Sequence, residues 1–95
     1  GVRYVPLTPQ LAERNGLSVD YGAYLTSVVS GSPAEKSGLQ QDDIITKINN
    51  DELGASNSLQ SLLAKYQVGD EITVTYVRDG KTQTTKIKLQ EAPTS

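Results

Sequence analysis

Between Ser56 and Tyr66, apolar side chains fall at Leu59, Leu62, Leu63 and Tyr66. Those intervals of three, four and seven residues are the helical period. Ser56 or Asn57 can cap the first turn, and Gly69 sits just past the end. The stripe predicts an amphipathic helix with Leu59 and Leu63 toward a core. Leu62 and the Ser58 side are then expected to look along an open groove, unless all four apolar residues are core. The rest of the chain is patterned mainly as strands. Gly1 to Val5 predicts a short strand that Pro6 ends or confines to a sheet edge. Thr8-Pro9 predicts a helix start with Leu11 and Ala12 inward and Gly16 as its stop. Tyr24 to Val29 alternates and is rich in β-branched residues, as a strand requires.

Ser32, Pro33 and Glu35 have the spacing of a helix cap, first helical residue and capping-box acid. Gly38 can close that single turn in a left-handed conformation, with Leu39 folded back against it. Ile44 to Asn49 is a further strand, and Asn49 to Asp51 a turn. Ile72, Val74 and Tyr76 share one face of a strand, with Thr73 and Thr75 on the other. Asp79-Gly80 predicts a two-residue hairpin. The returning strand, from about Gln83 to Leu89, has Thr85, Ile87 and Leu89 inward and Lys86 and Lys88 outward. Residues 91–95 carry no pattern and read as a frayed tail after a single domain of residues 1–90. The fold class expected is α+β: five or six short strands in a partly open antiparallel barrel or sandwich, with one main helix and one or two short ones.

Composition narrows what this domain can do. At 95 residues one domain with a modest core is expected. With five Tyr and neither Phe nor Trp, the core must come from Val, Ile, Leu and Ala. The net charge of −2, with signs interspersed, argues against nucleic acid and a polybasic membrane contact. No run approaches the roughly 20 apolar residues of a membrane span. The chain lacks Met, so a fragment, or a processed product, of something longer is expected.

Catalytic and metal chemistry find little support. The chain has no Cys and no His, which removes thiolate sites, the usual general base and the usual metal ligand. Ser and Thr hydroxyls have no imidazole to activate them. Ser61 with Lys65 forms a possible Ser-Lys pair, a spacing common by chance on helix surfaces. Asp42, Asp43, Asp51 and Glu52 lack the alternation and central Gly of a calcium loop and read as solvated turns. Arg3, Arg14 and Arg78 read as scattered solvated side chains. No metal and no cofactor are expected. What remains is recognition: a proline-limited strand beside an amphipathic helix can form a groove in which an extended peptide pairs with the free edge.

Three segments carry a resemblance: Gly1 to Ala12, Gly22 to Leu39, and Asp42 to Asn49. Together they resemble a PDZ domain, and the match runs from Gly1 to about Leu89. Leu7-Thr8-Pro9-Gln10-Leu11, after the first strand, and the hairpin from Val68 to Lys81 make the resemblance narrower. They are similar to the PDZ domain of HtrA/Deg-type, trypsin-like serine proteases. The resemblance implies the circularly permuted bacterial topology, in a domain that follows a protease domain in the same chain. It implies binding of C-terminal or unfolded hydrophobic peptide segments, either to present substrate or to regulate the protease.

Residue by residue, the resemblance places the ligand on the strand edge formed by Val2, Arg3, Tyr4 and Val5. Backbone N–H groups of an aromatic-aliphatic-Gly-aliphatic loop would hold the ligand carboxylate, and here Gly1 and Val2 match its last two positions. Val2, Tyr4, Leu59, Leu62 and Leu63 would line the pocket. Ser58 falls near the position where many eukaryotic members use His to read a ligand hydroxyl, so apolar ligand ends are expected. Asp42 stands where relatives usually have Gly, and Asp tolerates the left-handed backbone that turn needs. An isolated monomer and an extracytoplasmic, bacterial parent protein are the corresponding expectations. The alternatives are an interdomain or oligomer-contact module, and a PDZ domain of a C-terminal processing or site-2 protease.

Overall fold

Residues 2–17, 19–54 and 56–89 are described by a computed structural model, Val2 by its backbone only. Gly1 and the tail expected at 91–95 lie outside the described residues. The strands are β1 (Val2–Leu7), β2 (Gly22–Val28), β3 (Ile44–Ile48), β4 (Asp51–Glu52), β5 (Glu71–Arg78) and β6 (Lys81–Lys88). The helices are α1 (Pro9–Arg14), α2 (Pro33–Lys36) and α3 (Leu59–Leu63). All described strand pairs are antiparallel, in the order β1-β2-β3-β5-β6, with β4 paired to β3. The sheet is therefore open, and β1 forms one of its edges.

Consecutive apolar pairs in the sequence mark a sheet covered on both faces. Ala23, Leu25, Ile45, Ile72, Val74 and Tyr76 join α3's Leu59 and Leu62 in the larger core. Their strand neighbours Ile44 and Val77 point the other way, with Leu7, into a smaller core under Ala12 of α1. The sheet thus separates α1 from α3.

Local chemistry sets the helix ends. Thr8 and Ser32 cap α1 and α2, each accepting from the backbone N–H three residues on, and each is followed by proline. Glu35 reaches back to the Gly31 N–H at 2.9 Å, one residue before the position a capping box would use. Both helices close with a Schellman pair of bonds. In α2, Leu39 N–H donates to Ala34 O and Gly38 N–H to Glu35 O, with Gly38 at φ 99°. The β5–β6 hairpin turns through Asp79 and Gly80, both at positive φ, as a type I′ turn requires.

Several local expectations change. β1 continues through Pro6 to Leu7 instead of stopping at Val5. β4 occupies part of the expected turn, with Asp51 opposite Ile48. α3 is shorter than Ser56–Tyr66 and starts after a Ser58 cap. The Ser61 N–H donates to Ser58 Oγ (3.1 Å) and the Ser58 N–H to Ser61 Oγ (3.0 Å). Tyr66 leaves the helical stripe to anchor a turn: its hydroxyl accepts from Asn49 Nδ2 at 2.9 Å. Asn49, at φ 54°, also clasps Thr73 through its backbone N–H and its side-chain oxygen.

Asp43, read as solvated, is buried, and Arg78, read as a scattered side chain, is its partner. Asp43 is 1% exposed, and both its oxygens accept from Arg78. A buried carboxylate needs such a partner, and β5 delivers one because Val77 is opposite Ile44, next to Asp43. Asp42 takes the left-handed conformation, φ 75°, and its Oδ1 accepts from the Tyr24 hydroxyl at 2.8 Å. That hydrogen bond, with burial and the Asp42 charge behind it, holds the Tyr24 hydroxyl above the ordinary tyrosine pKa.

Candidate functional site

Strand alternation decides what β1 offers. Arg3, Val5 and Leu7 point toward the α1 face, where Leu7 joins the smaller core. Tyr4 packs against the larger core on the α3 face, which Pro6 shares by the same alternation. Between this face and α3 lies a cavity of about 330 Å³. Tyr4 and Pro6 line its strand side, Ser58, Leu59 and Ser61 its helix side, and Tyr21 joins them from the loop before β2.

The helix side is rigidly built. The paired Ser58–Ser61 bonds hold the first turn, and the Ser61 hydroxyl also donates to Ser58 O at 3.0 Å. Upstream, Gly54 and Asn57 exchange backbone bonds of 3.0 and 3.3 Å, and Asn57 Nδ2 donates to Glu52 O. The groove therefore has a polar hydroxyl rim over an apolar floor, an arrangement suited to an extended chain carrying apolar side chains.

The backbone of β1 completes the site. Leu25 donates its N–H to Asp43 O (2.8 Å) and accepts from Asp42 N–H (2.9 Å), so both its polar groups face β3. Tyr4 is the residue opposite Leu25 on β1. In an antiparallel ladder both members of such a pair turn their polar groups away from each other. The Tyr4 N–H and C=O therefore face outward along the free edge. Arg3 and Val5 turn theirs inward to β2.

Of the residues expected in the site, the structure brings Tyr4, Ser58 and Leu59 together. Val2 contributes backbone to β1, and Gly1 lies outside the described residues. Arg3 and Val5 do not face the groove by backbone or side chain, and Val5 is 41% exposed on the opposite face. Leu62, expected along the groove, is 1% exposed in the larger core. Leu63 packs at that core's margin, away from the cavity. The helix starts at Leu59, so Leu59 and Leu62 face inward together and the serines face the groove. Pro6, Tyr21, Leu53 and Ser61 are among the lining residues that the sequence did not mark as part of the site. The Ser58–Ser61 spacing was the available signal for one of them. Lys65, the possible partner of Ser61 in catalysis, pairs instead with Asp51 at 3.6 Å.

An open antiparallel sheet with a groove between its first strand and a capped helix defines the class. The PDZ domain family matches residues 1–89, and the chain belongs to that family. More particularly, its relatives are HtrA/DegP-type serine proteases. It is 36% identical over 94 residues to a probable periplasmic serine endoprotease DegP-like of Chlamydia trachomatis, covering 99% of this chain and 19% of that protein. The chain thus spans about a fifth of the length of the curated relatives it matches, 19% in each of the first two. Among solved structures, the HtrA-type protease AlgW with a decapeptide aligns at TM-score 0.79 and 29% identity, over 100% of this chain and 29% of that one. The HtrA3 PDZ domain bound to a phage-derived ligand (FGRWV) aligns at TM-score 0.75 and 26% identity, over 93% of this chain and 80% of that one.

Proposed function

We propose that this domain, residues 1–90, captures C-terminal or exposed hydrophobic segments of other polypeptides by adding them as a strand to β1. The outward-facing Tyr4 N–H and C=O beside an apolar-floored cavity carry this reading. A row of unpaired backbone groups is a template for another chain. Main-chain bonds then supply affinity, and the cavity supplies side-chain preference. The decapeptide with AlgW and the FGRWV ligand on the HtrA3 PDZ domain support a peptide as the ligand. In a longer chain the module presents substrate to, or regulates, a serine endopeptidase domain working outside the cytoplasm. The periplasmic names of its relatives support that location.

Each apolar ligand side chain buried contributes about 1.5–3 kcal/mol before ordering costs. With one or two buried, micromolar or weaker affinity is expected. The test is an NMR titration of the labelled domain with the peptide FGRWV, its free-carboxylate and amidated forms compared. Shifts at Tyr4 and Ser58–Ser61, with weaker binding of the amide, are the expected result. Shifts confined to other surfaces would reject the groove, and equal affinities would reject carboxylate recognition.

A further inference from the structure

The outward edge of β1 is interrupted at one residue. Ala23 lies two residues before Leu25 on β2, so it shares that residue's direction, and it pairs with Ile45 of β3. Its partner on β1 is Pro6. Pro6 therefore faces outward as Tyr4 does, but it has no N–H to offer. A proline inside a strand is tolerated only where its missing donor would point away from the ladder, which agrees independently with this assignment. An added antiparallel strand exchanges two bonds with each outward residue. Tyr4 can complete such an exchange. Pro6 can only accept.

We infer that Pro6 ends backbone reading of the ligand and passes it to side-chain reading. This rests on the groove proposed above. A ligand residue opposite Tyr4 is held by two main-chain bonds. The residue opposite Pro6 donates its N–H to the Pro6 carbonyl, and its own carbonyl finds no donor on β1. Beyond that point the chain is free to leave the edge. The cavity lies at this exit: its strand side runs from Tyr4 past Pro6 to Thr8, with Tyr21 at hand. The ligand class is an extended peptide that carries an apolar side chain on the N-terminal side of its paired residue. Preference among ligands is then set by that side chain more than by a long main-chain register.

The experiment is a titration of wild type and Pro6→Ala with two peptides: FGRWV, and a form shortened so that it begins opposite Tyr4. Alanine restores the N–H without adding bulk. One more hydrogen bond tightens binding by about 2–10-fold, so Pro6→Ala should bind the full peptide that much more tightly and the short one unchanged. Unchanged binding of the full peptide, or an equal gain with both, overturns the inference. Should Pro6→Ala not fold, wild type answers with ester analogues of FGRWV. Weakening the carbonyl opposite Tyr4 should lower affinity, and weakening the one opposite Pro6 should not; equal losses overturn the inference. If FGRWV leaves the wild-type Tyr4 amide unshifted, the groove itself fails. If Tyr4 shifts but Pro6→Ala binds as wild type, only the role of Pro6 fails.

Discussion

Arg78 holds Asp43 through two parallel bonds, Nε to Oδ1 at 2.8 Å and Nη2 to Oδ2 at 2.7 Å. The same Nη2 donates to Gly38 O at 2.7 Å, and Asp43 Oδ2 also accepts from the Gln40 N–H. One side chain of β5 thereby fastens the end of α2 and the start of β3. The guanidinium, hydrogen-bonded to Asp43, is held above its ordinary pKa.

The two halves of this pair are not equivalent. Arg78→Ala leaves Asp43 buried and unpaired, and removing one partner of a buried pair costs about 3–5 kcal/mol. Asp43→Ala leaves an arginine that water can reach, so the loss is nearer the about 1.5–3 kcal/mol of charged hydrogen bonds. Arg78→Lys keeps the charge without the fork and should fall between wild type and Arg78→Ala. Urea denaturation of the three variants checks the order. Equal losses for the two alanines would mean that Asp43 is hydrated in solution.

Tyr24 makes stability depend on alkaline pH. Its hydroxyl proton is retained more strongly in the folded state because Asp42 accepts it. A folded pKa raised above the unfolded one contributes stability that is complete below the unfolded value. That contribution disappears as pH rises through the folded value. The decline therefore begins above about pH 10. Subtracting the ultraviolet titration of Tyr24→Phe from that of wild type isolates this residue among the five tyrosines. Asp42→Asn should move the isolated titration back toward the ordinary value. A Tyr24 that titrates in the ordinary range in wild type would show the hydrogen bond to be absent.

Leu62 and Leu63 should behave oppositely to the helical stripe as first read. Leu62→Ala empties a fully buried site and should cost about 2–5 kcal/mol. Leu63→Ala trims the core margin and should cost about 1 kcal/mol. Neither should shift the affinity for FGRWV once the fraction folded is corrected for. A larger loss for Leu63 would return Leu62 to the groove.

Gly22 tolerates no side chain. A Cβ there would sit 2.7 Å from Ile45 O and 2.8 Å from Ile44 Cγ2. The first contact is backbone and cannot swing aside. Gly22→Ala should cost about 1–3 kcal/mol as the β2–β3 pairing shifts to make room. Thermal unfolding of this variant within a degree of wild type would contradict the close approach.

The elements that read well from sequence are those settled by neighbours in the chain. Thr8-Pro9, Ser32-Pro33 and Gly38-Leu39 carry their own caps and stops, and Asp79-Gly80 its own turn. These are satisfied within a few residues by backbone bonds that any surroundings would permit. The α3 stripe read less well, because period identifies a helix but leaves its rotation about the axis open. Leu62 and Leu63 differ by one residue, and which one is covered depends on where β3 and β5 place the core. The Ser58–Ser61 box, once recognised, would have fixed the first turn.

The order of residues was enough for a small α+β domain with a proline-bearing edge strand and a capped helix, since propensity, capping and alternation are local. The partner of Asp43 was beyond its reach. So was the outward direction of the Tyr4 and Pro6 backbone groups. Each depends on pairing between distant segments: β5 beside β3 brings Arg78 to Asp43, and β2 between β1 and β3 sets which backbone groups stay free. Pairing direction alternates with every residue along a strand, so only the assembled register can say which groups are left for a ligand.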